Sequence, residues 1–213
     1  MLITILATPR TGSTTLWKSY KSEWRPKNHP APHGFSEFYH NYAFKNPKMW
    51  RAHLSYDQYL KNIKHMISKE EIHNELIDHV TKNPDSNIAV KVFPSQLDSQ
   101  MMKQLLDSSS IIVHCVRKSY KNQLQSYVVS QISNIWKNER PSMVEVNQDY
   151  VNMYHQILVK EIIAHSELYK KYGGELVFLE DRFNKNQQYP KCKISSNNLI
   201  WPTFDTVSLF DNT

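Results

Sequence analysis

The stretch Leu2-Ile3-Thr4-Ile5-Leu6-Ala7-Thr8-Pro9-Arg10-Thr11-Gly12-Ser13-Thr14-Thr15-Leu16-Trp17 decides the fold of this chain. Its first six residues are apolar and rich in β-branched side chains, the composition of a buried strand. Thr8 to Thr15 then form a short, hydroxyl-rich loop, and Leu16-Trp17 opens a helix. A strand, a tight loop and a helix N-terminus together predict an anion-binding device. The unpaired N–H groups of the first helical turn converge on one point, where the helix dipole favours negative charge. Gly12 lets the backbone approach the anion, Arg10 supplies a charged fork, and Thr11, Ser13, Thr14 and Thr15 add hydroxyls. Ser and Thr are also ordinary helix N-caps, so the alternative reading of the loop alone is a capped helix after a strand.

The rest of the chain repeats the strand–helix alternation. Further strands are predicted at 88–93 (IAVKVF), 111–116 (IIVHCV) and 175–180 (ELVFLE). Helical spacing runs through 55–67, 69–81, 96–106, 120–137 and 151–172, with Gly173-Gly174 closing the last helix. Short apolar strands separated by helices are the signature of parallel βαβ units. The fold class expected is therefore α/β: a three-layer α/β/α P-loop-type fold around a mostly parallel sheet of four to five strands. Residues 1–182 are read as one domain with a Pro-rich lid and substrate segment at 25–54. Residues 183–213 are read as a tail whose Trp201, Phe204, Leu209 and Phe210 pack back on it. In such sheets ligands gather beyond the carboxyl ends of the strands. Those ends carry Pro9-Arg10-Thr11, Pro94-Ser95-Gln96, Arg117-Lys118-Ser119 and Glu180-Asp181-Arg182, and three of the four are charged.

Composition narrows the chemistry. The 213 residues include 26 Lys and Arg against 20 Asp and Glu, a formal charge of +6 that suits a polyanionic ligand. Cys115 and Cys192 are the two cysteines, with neither metal-ligand nor Cys-x-x-Cys spacing, so a reducing cytoplasm is expected and a metal is not. No apolar run approaches the roughly 20 residues of a membrane span, and the N-terminal strand has no basic region of a signal peptide before it. A nucleoside-triphosphate P-loop places Lys directly after its last glycine; here Ser13 stands there, and the next Lys is Lys18. An ordinary ATPase or kinase is thereby disfavoured.

The loop gains meaning beside Val116-Arg117-Lys118-Ser119 and the following Gln123-Leu124-Gln125-Ser126. A strand ending in PRTGSTTL, and a later one ending in VR before a helix with Ser, resemble the sulfotransferase superfamily. The PR-[ST]-GST version is most similar to its bacterial glycolipid and carbohydrate members. Gly34-Phe35-Ser36-Glu37-Phe38-Tyr39, Ala89-Val90-Lys91-Val92-Phe93 and Val177-Phe178-Leu179-Glu180-Asp181 resemble further family segments in the same order. The resemblance implies 3′-phosphoadenosine 5′-phosphosulfate (PAPS) as co-substrate and 3′-phosphoadenosine 5′-phosphate (PAP) as product, with no metal. It implies that Arg10, Thr11, Gly12, Ser13, Thr14 and Thr15 hold the 5′-phosphosulfate, and that Arg117 or Lys118, with Ser126, holds the 3′-phosphate. Glu37 is implied as the general base toward a hydroxyl of a carbohydrate, glycolipid or small metabolite. His33 and His40 are alternative bases, because imidazole titrates near neutrality. Nucleic acid is not expected as a partner, and the oligomeric state is not legible. Arg117 stands nine positions before Ser126 where the family commonly has eight, Lys118 stands at eight, and Leu179 replaces the usual Tyr. An atypical P-loop kinase drawing its Lys from elsewhere, and a non-catalytic polyanion-binding module, are the competing readings.

Overall fold

A computed structural model describes residues 1–20, Tyr39, 69–133, 143–182, 193–195 and 198–211. Strand β1 (Leu2–Ala7) is buried along its whole length, as its unbroken apolar run requires. Helix α1 (Ser13–Ser19) follows, then α2 (Lys69–Lys82), β2 (Ile88–Val92), α3 (Ser99–Asp107) and β3 (Ile111–Val116). Beyond them come α4 (Tyr120–Ser133), β4 (Met143–Glu145), α5 (Gln148–Tyr172), β5 (Glu175–Phe178), α6 (Leu179–Arg182) and β6 (Lys193–Ser195). Four strands form one all-parallel sheet in the order β2-β1-β3-β5, flanked by helices. The α/β class with a central parallel sheet is what the alternating pattern predicted. The strand order reverses direction between β1 and β3, the place where open parallel sheets bind ligands.

The chain divides into two compact units. In the first, Met1–Leu6 with Ser13–Val113, β1 and β2 pair in parallel register, Leu2 opposite Ile88 through Leu6 opposite Val92. The Trp17 indole donates to the Ala89 carbonyl at 2.7 Å and ties α1 to β2. Ile72 and Leu76 of α2 and Leu105 and Leu106 of α3 supply buried apolar side chains. Asp98 caps α3, accepting from the backbone N–H groups of Gln100 and Met101 at 2.9 and 2.8 Å. That cap starts the helix at Ser99; Gln96, expected inside it, belongs to a separate 3-10 turn, Pro94–Gln96.

In the second unit, Ala7–Gly12 with His114–Thr213, α4 packs on α5 through a core that includes Leu124, Val128, Val151, Leu158, Ile162 and Phe210. Trp201, Phe204 and Leu209 pack against the same core. Gly173, at φ 64°, closes α5, its N–H donating to the Tyr169 carbonyl at 2.8 Å. β5 ends at Phe178 rather than Glu180. Leu179–Arg182 turns into α6, with Glu180 and Asp181 in its first turn, where the helix dipole favours acids. β4 and β6 form an additional parallel pair that the sequence pattern did not indicate. Among the described residues no helix is long and apolar enough to cross a membrane. The predicted helix at 55–67 and the lid at 25–54, apart from Tyr39, lie outside the described residues.

Candidate anion-binding site

The chain leaves β1 through two left-handed residues, Arg10 at φ 66° and Gly12 at φ 77°. For Gly12 both space and conformation demand glycine: a Cβ there would lie 2.3 Å from Leu179 Cδ1. Leu179 therefore packs directly against the loop. Arg10 carries its side chain in a conformation that costs an ordinary residue about 1–2 kcal/mol, so the surroundings must hold it there.

Three residues of the β3–α4 segment do so. The buried Gln123 amide donates from Nε2 to Thr8 Oγ1 at 2.9 Å and to the Pro9 carbonyl at 2.7 Å. Arg117 Nη1 donates to the Arg10 carbonyl at 3.3 Å. Ser126 Oγ accepts from Arg10 Nε at 2.9 Å. Gln123 and Ser126 are three apart on α4, the spacing that puts two side chains on one helix face. Thr11 is closed on the loop itself, its hydroxyl donating to the Thr8 carbonyl at 3.0 Å, while the buried Cys115 thiol contacts the Thr11 carbonyl at 3.4 Å. Arg10, Arg117 and Ser126, all predicted site residues, are thus brought together by direct hydrogen bonds. Gln123, which contacts the loop at two points, is not among the residues predicted for the site. Its one sequence signal is its position, a helical turn before Ser126.

The other strand end of this unit sorts the two basic candidates. Glu180 accepts from the Lys118 and Ser119 backbone N–H groups at 2.9 and 3.2 Å, and its Oε1 lies 3.5 Å from Arg117 Nε. Lys118 Nζ pairs with Asp181 Oδ1 at 2.7 Å, with side chains 44% and 60% exposed, and lies 5.0 Å over the Phe178 ring. Arg117, 18% exposed, belongs to the loop; Lys118 belongs to the surface. Glu180 and Asp181 thus engage the two cations, one each.

In the first unit, Lys91 is 2% exposed on β2, and its Nζ donates to Thr14 Oγ1 in the first turn of α1 at 3.1 Å. The same ammonium lies 5.3 Å from the centre of the Phe93 ring. Its burial excludes a solvent-facing role at the sheet edge. Ser13 is buried, and Thr15 is exposed.

The described histidines of the interior are neutral packing groups. His114 Nε2–H donates to the Gly173 carbonyl at 2.8 Å, which leaves its Nδ1 to accept from His165 Nε2–H at 3.1 Å. Burial pushes His114 down to about 4; burial, then the neighbouring His114, pushes His165 lower than an ordinary imidazole. His73 is likewise lowered by burial, against the opposing effect of its Nε2–H donating to Gln104 Oε1 at 3.1 Å, and its Nδ1 accepts from the Tyr39 hydroxyl at 2.9 Å. Glu37, His33 and His40, the predicted bases, lie outside the described residues. Among the described residues no group of three or more His, Cys, Asp or Glu side chains is placed to hold a metal ion. Comparison of the chain with protein-family models, with curated proteins and with solved structures gives no match.

Proposed function

We propose that the chain is a PAPS-dependent sulfotransferase acting on a hydroxyl of a carbohydrate, glycolipid or small metabolite. One observation carries the reading. Two guanidinium groups, Arg10 and Arg117, and the Ser126 hydroxyl are hydrogen-bonded into one cluster on the loop after β1, beside the reversal of strand order. PAPS brings roughly four negative charges to such a site, a load that two fixed forks answer by charge and by bidentate hydrogen bonding. The absence of Lys directly after Gly12 supports a sulfuryl over an ordinary phosphoryl donor.

In the proposed reaction the acceptor hydroxyl oxygen bonds to sulfur as the bond from sulfur to the 5′-phosphate oxygen breaks. The electron pair of the broken bond stays on PAP, where charge develops opposite Arg10 and the loop N–H groups. Donors preorganised at developing charge are each worth about 3 kcal/mol or more of barrier. The acceptor's proton passes to Glu37, with His33 and His40 as alternative bases. The proposal gives the 3′-phosphate to Arg117, which touches the loop at the Arg10 carbonyl, in preference to Lys118, which pairs with Asp181 at the surface.

A second reading has one observation behind it. Lys91 Nζ against Thr14 Oγ1 puts an ammonium at the first turn of α1, the service a P-loop Lys gives in a nucleotide kinase. Thermal shift with PAP and with ATP, each with and without Mg²⁺, separates the two. Stabilisation by PAP independent of Mg²⁺ is the expected result; stabilisation by ATP with Mg²⁺ alone establishes the kinase instead.

A further inference from the structure

We infer that Gln123 is a positioning residue: it sets the backbone of Thr8-Pro9-Arg10 so that the Arg10 guanidinium is presented before any anion arrives. The inference rests on the reading of this loop as an anion site and names the residue that makes it one. Gln123 is 1% exposed, and both hydrogens of its amide nitrogen are used on the loop, at Thr8 Oγ1 and the Pro9 carbonyl. The Pro9 carbonyl accepts only, so the amide orientation is fixed by chemistry. The consequence is that Gln123 Oε1 is buried with no hydrogen-bond partner among the described residues.

A buried acceptor without a donor is costly, and a helix residue chosen for packing would be apolar. Gln123 instead tolerates that cost while gripping the carbonyl immediately before Arg10. Arg10 is the strained residue, at φ 66°, and Arg117 grips the carbonyl immediately after it. One helical turn on, Ser126 takes the guanidinium itself. The strain at Arg10 is thus held from both sides of its peptide and from its side chain, a pattern of preorganisation.

Calorimetric titration of the full chain with inorganic sulfate and with PAP tests this in four forms: wild type, Gln123→Met, Arg10→Ala and the double variant, with Tm recorded for each. Gln123→Met keeps the volume and removes the donors; Thr8→Val, removing one of the two bonds, serves if it does not fold. Gln123→Met is expected to weaken both ligands about tenfold, and by less than about twofold where Arg10 is already Ala, because its effect passes through Arg10. Thr8→Val is expected to weaken them about threefold. An equal factor in both backgrounds, or a lowered Tm with unchanged affinity, overturns the inference. Sulfate binding that depends on Gln123, with PAP no tighter than sulfate, overturns the nucleotide reading and leaves the positioning role standing. Binding of neither ligand overturns both.

Discussion

Two polar regions of the second unit stand close together in sequence, at His114 within β3 and at Arg117 directly after it, and are built oppositely. Around His114 polarity is consumed: each ring nitrogen has a partner, His165 and Gly173, and the edges of Tyr169 and Phe210 pack against the pair at centroid distances of 4.9 and 5.1 Å. Neither ring is charged near neutrality. Around Arg10, half-buried like Arg117, a left-handed backbone and two permanent charges meet a buried amide oxygen that has no partner among the described residues. The first region is what polar groups do when they serve packing. The second keeps strain and charge that packing alone would discard, as the proposed anion site requires.

The contrast breaks most visibly at Arg10. Arg10→Ala is expected to lower PAP affinity about a hundredfold, the loss of charge-assisted bonds, read by calorimetry. Arg10→Gly is expected to lose the same affinity yet to be about 1 kcal/mol more stable than the Ala variant in urea denaturation, since glycine relieves the left-handed strain. Equal stability would mean that the strain is absent.

At the histidine pair the expected effect is on stability and not on binding. The folded pKa values lie below the usual 6.5, so the unfolded chain binds more protons as pH falls from about 6.5 to about 4. Stability is fully present above that window and declines through it, by on the order of 3 kcal/mol for His114. His114→Gln should flatten the pH dependence of urea unfolding. Sulfate affinity at pH 7 and pH 6 should be unchanged in the wild type, because guanidinium groups do not titrate there.

Gly12→Ala, which places a methyl against Leu179 and strains the loop, is expected to cost about 2 kcal/mol; Leu179→Ala should recover the steric part only. Smallest of all, Lys118→Ala removes an exposed ion pair and should change stability by less than about 1 kcal/mol, with a minor effect on PAP affinity. A large affinity loss there would move the 3′-phosphate from Arg117 to Lys118.

Much of this was legible because it is local. The β-branched run of β1, the Pro9-Arg10-Thr11-Gly12 sequence after it and the glycines closing α5 each act within a few residues of themselves. After β2 the chain folds back on itself, Gln96 Oε1 accepting from the Phe93 N–H at 2.8 Å, a closure that the apolar run before it does not announce. The end of β5 was read two residues too long because Leu179 is as apolar as a strand residue, while its packing partner is Gly12, far away in sequence. Gln123 escaped for the same reason. A glutamine inside a helix has no local signal, and its meaning lies in a loop 114 residues earlier. Three-residue strands such as β4 and β6 carry no period to detect.

The most direct test is titration of the wild-type chain and Arg10→Ala with PAP in the absence of Mg²⁺. Saturable binding by the wild type, tighter than that of inorganic sulfate and lost about a hundredfold in the variant, is the predicted result. No binding of PAP by the wild type, or equal binding by Arg10→Ala, contradicts the assignment of this loop as the nucleotide's anion site.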